Sequence, residues 1–208
     1  MNYSKNKIFG NWDFYKLCIS VAVPVMAQQL IMGMVSLIDN FMVAGLGDTK
    51  MAAVNVANQL NFIYLVLLYT FYGAGGIYMA QNSGADNQEG MQQAFRFKVI
   101  LPFIISVIYM ILMLINPEIF MRLLTQGNHA QKEILESSSK YMKIIAFTFI
   151  PISISGAIGS SYREIGKPHI PLVISVIATA CNTFGNWILI YGNLGAPKLE
   201  ETGAAIAT

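Results

Sequence analysis

The sequence predicts an all-α protein, specifically a polytopic transmembrane helix bundle. Hydrophobic residues make up 55% of its 208 residues and charged residues only 12%, and the mean hydropathy is +0.52. The apolar residues come in long blocks separated by short polar connectors, and a block of roughly 20 such residues is enough for one helix to cross a bilayer. The small net charge of +2, with scattered basic residues, argues against a nucleic-acid partner.

The apolar blocks predict five complete membrane helices and the start of a sixth. They cover residues 17–46, 51–80, 97–115, 141–161 and 170–191, and the sixth begins near residue 203. Residues 1–16 precede the first block and are predicted to be a cytoplasmic N-terminal segment. Pro24 has no backbone N–H, so we expect the first helix to be distorted near its start. The third block is the most uniformly apolar and is therefore predicted to face lipid.

The sixth block stops at Thr208 after its first turn, with no capping residue and no turn signal. We therefore expect residues 17–208 to form a truncated lobe of a longer membrane protein. Orientation follows from the Lys and Arg residues of the connectors, of which seven lie on the side of the N-terminus and six on the other. The seven sit tight against the ends of the predicted spans, which favours a cytoplasmic N-terminus.

Asp39 places a carboxylate inside the first apolar block, where ionised side chains are costly and commonly mark functional sites. It is only about two helical turns from the turn GLGD, so one interpretation is an interfacial carboxylate that reaches water. The other interpretation is a carboxylate in a polar cavity, because small and polar residues recur around it at helical spacings of three and four. These residues are Gln29, Gly33, Ser36 and Asn40.

Two further predicted helices carry polar stripes. The second has Asn55, Asn58, Gln59 and Phe62 at helical spacing, and the fifth has Ser175, Thr179, Asn182 and Asn186. Polar faces on three helices around one acidic group predict a polar cavity. Interhelical hydrogen bonds that only hold the bundle together are the alternative.

Two other motifs have a structural and a functional interpretation. Gly73, Gly75 and Gly76 lie near the end of the second block and either pack closely against a neighbouring helix or mark a bend. The stretch YREIGKP is typical of a helix end, with Gly166 as the breaker. The sharper alternative is a gating salt bridge that involves Arg163 or Glu164.

Four stretches of the chain, taken in order, resemble the multidrug and toxic compound extrusion transporters. The first is VPVMAQQLIMGMVSLIDNFMVAGLGDTKMAAVNVANQL, which has a proline, an acidic residue, a glycine turn and an alanine-rich entry to the second helix. The others are GAGGIYMAQNSGADNQEGMQQAF, YREIGKPHIPL, and CNTFGNWILIYG followed by TGAAIAT. Together they extend over nearly the whole chain.

The resemblance implies a transporter of twelve helices in two lobes, and this chain would be most of the N-terminal lobe. Such proteins are antiporters of the plasma (inner) membrane that export organic, often cationic, drugs or metabolites in exchange for Na⁺ or H⁺. The implied partners are therefore the bilayer, a small organic substrate and the missing C-terminal lobe. No cofactor is expected besides the coupling ion, and no metal site, because neither histidine has Cys or His neighbours at ligand spacing.

The implied cation site has one acidic residue. Asp39, Asn182, Asn186 and Thr208 match the positions that the family uses, and Ser36 adds a hydroxyl on the helix of Asp39. Several family members have an aspartate where this chain has Asn186, so the coupling chemistry rests on Asp39. The residues expected to line the substrate cavity are Gln29, Asn40, Asn55, Gln59 and Thr179.

Three other functions stay open. A membrane enzyme would need clustered carboxylates or a nucleophile beside a base, and the short connectors offer neither. A flippase for a lipid-linked oligosaccharide has lobes built alike but a more basic cavity, and no Lys or Arg lies in the interior of the first two predicted helices. An isolated half would be inactive, because the substrate pathway is expected between two lobes.

Overall fold

The computed structural model describes residues 10–45, 47–125, 131–195, 197 and 199–207, and nearly all of them are helical. The α-helices are α1 (Trp12–Ala44), α2 (Asp48–Gly84), α3 (Gln88–Ile115), α4 (Pro117–Thr125), α5 (Gln131–Ile145), α6 (Phe149–Glu164), α7 (His169–Tyr191) and α8 (Glu200–Ala207). This confirms the predicted all-α class.

Five helical segments of the described part are long and apolar enough to cross a membrane. They are Trp12–Ile38, Asp48–Gly84, Gln88–Ile115, Lys132–Glu164 and His169–Tyr191. The chain is therefore a polytopic membrane bundle, as its composition predicts. Because each crossing of a membrane reverses the direction of the one before it, we infer that α1 and α7, the first and the fifth of these segments, run the same way.

The fourth crossing is built from α5 and α6, which are joined by one 3₁₀ turn, Ala146–Thr148. Pro151 explains this turn, because it has no N–H to bond the carbonyl of residue 147 and its ring crowds the preceding turn. The Thr148 hydroxyl donates to the carbonyl of Ile145 at 2.7 Å and so satisfies one of the carbonyls at the junction. The chain therefore changes helical pitch here without leaving the membrane.

The turn between α6 and α7 follows the prediction made from YREIGKP. Gly166 has a φ of +76°, a left-handed conformation that favours glycine. Its N–H donates to the carbonyl of Arg163 at 3.2 Å, and the N–H of Lys167 donates to the carbonyl of Tyr162 at 2.8 Å. This pair of bonds is a Schellman motif. It ends α6 at a defined residue and so fixes where Arg163 and Glu164 lie.

The core lies between α2, α3, α5 and α6. At its centre the ring of Tyr64 stacks on that of Tyr109, with centroids 5.1 Å apart, and packs against Phe149 at 4.5 Å. The Tyr64 hydroxyl lies 2.7 Å from Ser106 Oγ and donates to the Phe149 carbonyl at 2.7 Å. A single tyrosine of α2 therefore ties α3 to the start of α6.

Helix α3 is exposed on one side and buried on the other. Residues at a spacing of four are buried along its other side, with Ala94, Lys98, Pro102 and Ser106 in succession. The prediction that this block faces lipid is wrong for the side that carries Lys98. Its isoleucine-rich side is exposed, and lipid contact there stays a prediction. Helix α1 is the true peripheral helix, since none of the residues in its apolar window is buried, against 39% in the α5–α6 segment.

Candidate functional site

The asparagines predicted on the fifth span lie together on α7. Asn186 Nδ2 donates to Asn182 Oδ1 at 3.3 Å, and Asn182 Nδ2 donates to the carbonyl of Ala207 on α8 at 3.2 Å. Asn186 is buried, with 2% of its surface exposed. The spacing of four predicted that the two amides share a face, and the structure joins them in one hydrogen-bonded chain that extends to α8.

Small residues let α8 approach α7 closely. A Cβ on Gly203 would lie 2.6 Å from the carbonyl oxygen of Leu189, and one on Gly185 would lie 3.2 Å from the Cβ of Ala207. An ion pair between Lys50 and Glu200 joins the first residue of α8 to α2. The start of the sixth predicted span is therefore packed against the polar face of α7.

Two of the predicted coupling residues have side chains that the structure does not describe. Thr208 lies beyond the described residues, and the backbone of Asp39 lies in α1 while its side chain is not described. Ser36 is exposed and its hydroxyl donates to the carbonyl of Met32 in the same helix at 3.1 Å. Asn40 is also exposed. The coupling set thus stays a prediction, with its α7 members placed together.

The predicted cavity residues lie on three different helices. Asn55 and Gln59 line one open groove of about 640 Å³, formed by one face of α2 together with Leu124 of α4. Gln29 is exposed on α1, and Thr179 is half-buried on α7. The structure therefore brings together the two residues of α2, and those of α1 and α7 are not among the residues that line this groove.

A buried ion pair lies at the end of the bundle where α6 ends. Lys98 Nζ donates to Glu164 Oε2 at 2.5 Å and to Ser161 Oγ at 3.0 Å. The Lys98 side chain is 0% exposed and that of Glu164 is 17% exposed. The sequence offered a gating salt bridge of Arg163 or Glu164 as an alternative, and the structure pairs Glu164 with Lys98. A gating role stays a prediction. The lysine comes from the block predicted to face lipid.

Two glycines of α2 make room for this ion pair. A Cβ on Gly75 would collide with the Cγ of Lys98, and one on Gly76 would collide with a carboxylate oxygen of Glu164. At Gly73, in contrast, an added Cβ would have no atom of another residue within 4 Å. Of the two interpretations of this glycine cluster, close packing is correct for Gly75 and Gly76.

Gln28 makes a second polar junction near the ion pair. Its Nε2 donates to Ser175 Oγ of α7 at 2.6 Å, and its Oε1 accepts a hydrogen bond from Arg163 Nη1 of α6 at 3.4 Å. Sequence reasoning selected the neighbouring Gln29 and missed Gln28. For the ion pair, a usable signal was Lys98 itself, because a lysine within an apolar membrane block needs an acidic partner.

The geometry defines the class of protein as an integral membrane protein whose helices meet through polar clusters and close glycine contacts. Within the described part of the chain, no group of three or more His, Cys, Asp or Glu residues could hold a metal ion. The MatE family model matches residues 24–188. The chain belongs to this family of membrane transporters.

Curated relatives and solved structures agree with this family. The chain is 24% identical over 204 residues to the probable multidrug resistance protein NorM of Oceanobacillus iheyensis, covering 94% of this chain and 43% of the relative. It is 25% identical over 196 residues to the protein of the same name from Thermotoga maritima, covering 94% and 41%. The chain therefore spans less than half the length of these relatives.

The fold also matches that of solved transporters. An outward-facing multidrug resistance MATE family transporter of the MOP superfamily superposes with a TM-score of 0.78 at 26% identity, over 93% of this chain and 41% of that one. A MOP superfamily transporter from Pyrococcus furiosus, described as having a binding pocket of reverse polarity, gives the same TM-score and identity. The arrangement of α1 to α8 is thus that of about two-fifths of such a transporter.

Proposed function

We propose that the chain is most of the N-terminal lobe of a secondary-active antiporter that exports organic, often cationic, compounds in exchange for Na⁺ or H⁺. The observation that carries the proposal is the family match over residues 24–188. Curated relatives of the chain are named probable multidrug resistance proteins, which supports it. The C-terminal lobe would complete the substrate pathway, because such transporters bind substrate between two related halves. The chain alone is then expected to transport nothing.

The coupling ion would bind between α1, α7 and the start of α8. Asp39 supplies the negative charge, and the oxygens of Ser36, Asn182, Asn186 and Thr208 supply neutral ligands of the hard kind that suits Na⁺. The donor set fits a small cation, because Asn182 and Asn186 already lie within one hydrogen-bonded chain beside the carbonyl of Ala207. A carboxylate binds either a proton or a cation, so H⁺ and Na⁺ would compete at Asp39 and bias the lobe between two packings.

The exported compound would contact carboxamides and flexible apolar side chains. Asn55 and Gln59 in the groove of α2 support this role, with Gln29, Asn40 and Thr179 as further contacts once the second lobe is present. The N-terminus would lie in the cytoplasm and the protein in the plasma (inner) membrane. The positions of the Lys and Arg residues at the ends of the spans support this orientation.

The test is efflux of a fluorescent organic cation from vesicles that contain the complete transporter. Asp39→Asn removes the charge with little change of shape, so efflux should fall about tenfold or more while membrane insertion stays normal. Separate Na⁺ and pH gradients identify the coupling ion. Asp13→Asn, the same change in the exposed first turn of α1, is the matched control and should keep its efflux. Efflux by Asp39→Asn at the parent rate would contradict the proposal.

A further inference from the structure

Gln28 attaches α1 to two other helices through both ends of one amide. Its nitrogen donates to Ser175 Oγ of α7 at 2.6 Å, and its oxygen accepts from Arg163 Nη1 of α6 at 3.4 Å. The side chain is half-buried, although none of the residues in the apolar window of α1 is buried. Because helices in lipid have no hydrophobic driving force to associate, interhelical hydrogen bonds such as these add specific attachments to an otherwise peripheral helix.

Arg163 is held in place from the other side. Its neighbour Glu164 is ion-paired to the fully buried Lys98, which also donates to Ser161. The Schellman motif at Gly166 fixes the end of the same helix turn. Gln28 therefore accepts its hydrogen bond from a helix end that α3 has already anchored.

The contact between Gln28 and Ser175 also sets the register of α1 on α7. Asp39 follows Gln28 by 11 residues, and Asn186 follows Ser175 by the same 11 residues. Eleven residues are three turns plus about 20° of helix and a rise of about 16 Å. Because the two helices run the same way and neither interval contains proline, a bond at one level places position 39 of α1 level with position 186 of α7.

We propose that Gln28 is a positioning residue for the coupling-ion site: together with Ser175 it sets the register and rotation of α1 on α7, and so brings Asp39 to the level of Asn186. A slip of one residue moves α1 by about 1.5 Å and turns it by about 100°. Such a slip would carry Asp39 to another face of the bundle. The role of Asp39 rests on the proposed function, whereas the register itself does not.

The register is tested by disulfide cross-linking in the intact protein reconstituted in lipid. Val35 follows Gln28 by seven residues, and Asn182 follows Ser175 by the same seven residues, so this register places Val35 level with Asn182. Cysteines at positions 35 and 182 should therefore form a disulfide when oxidised. The free cysteines, Cys18 and Cys181, are first replaced by serine. Mass spectrometry measures the yield. A pair that fails to cross-link would overturn the proposed register.

Variants at position 28 separate positioning from packing. Gln28→Leu removes both bonds, so it should lower the yield of the disulfide between positions 35 and 182 severalfold. Cysteine pairs placed one turn away should then also form disulfides. Gln28→Glu keeps the shape and can accept from the Ser175 hydroxyl and from Arg163, so it should retain the parent yield. Gln92→Leu, the same change on the exposed side of α3, is the matched control and should also retain it. Equal yields in all three variants would contradict the role of Gln28.

Ion dependence of efflux provides a readout that a merely structural role would not change. In the complete transporter, Gln28→Leu should raise the coupling-ion concentration for half-maximal efflux about tenfold and leave the KM for the exported compound within about twofold. Ser175→Ala should act alike, and the double variant should be no worse than Gln28→Leu. An unchanged ion requirement in Gln28→Leu would overturn the proposal. If the parent protein shows no efflux, the proposed function fails, and the cross-linking result alone decides the register.

Discussion

Two regions of the lobe are held together by different kinds of contact. The core block, which consists of α2, α3, α5 and α6, encloses the Tyr64 cluster and the Lys98–Glu164 ion pair. The peripheral pair, which consists of α1 and α7, is joined by the bond between Gln28 and Ser175 and is otherwise largely exposed. The residues proposed to bind the coupling ion lie on the peripheral pair and on α8, and only 0% and 11% of the apolar windows of α1 and α7 are buried. We therefore expect the core block to supply most of the stability and the peripheral pair to be the more adjustable part of the lobe.

The largest expected effect comes from breaking the ion pair of the core block. Lys98→Met removes the cation of a buried ion pair and leaves the Glu164 carboxylate without its partner. Such an uncompensated buried charge is strongly destabilising. We expect the free energy of unfolding to fall by about 3–5 kcal/mol, measured on the purified protein in detergent micelles.

A second substitution shows whether the loss comes from the unpaired charge. Lys98→Met combined with Glu164→Gln removes both charges of the pair, so most of the lost stability should return. The exposed pair of Arg122 and Glu118, 3.8 Å apart, is the control. Arg122→Met should change stability by less than about 1 kcal/mol. A double variant as unstable as Lys98→Met would show that lost packing of the lysine stem, and not charge, explains the effect.

An intermediate effect is expected from the glycines beside the ion pair. Gly75→Ala forces a methyl group against the Lys98 stem, and overpacking of this kind costs about 1–3 kcal/mol. Gly73→Ala is the matched control, because a methyl group there meets no other residue. It should stabilise α2 by about 0.5–1 kcal/mol through reduced backbone freedom. Opposite shifts in the unfolding temperature check the prediction, and equal losses in both variants would contradict it.

Helical spacing predicts which residues share a face of one helix, but not which helix that face meets. The period of 3.6 residues placed Asn182 beside Asn186, and the turn signal identified Gly166 as the end of α6. The sequence favoured Gln29 over its neighbour Gln28, because Gln29 shares a helix face with Gly33, Ser36 and Asn40. The contact of Gln28 with Ser175 depends on where α7 packs against α1, which helical spacing does not show. Lys98 and Glu164 are 66 residues apart, and only the tertiary arrangement of α3 and α6 makes them partners.

The smallest effect on stability is expected in the polar chain of α7. Asn182→Leu removes the bond to the Ala207 carbonyl and the acceptor used by Asn186. Interhelical hydrogen bonds in membranes contribute about 0.6 kcal/mol on average, so the unfolding free energy should fall by roughly that amount. If Asn182→Leu proved as destabilising as Lys98→Met, the peripheral pair would be a structural element like the core block, and the contrast between the two regions would fail. A small loss of stability with a large loss of ion-coupled efflux would instead show that the amides of α7 are kept for binding, because little of the fold depends on them.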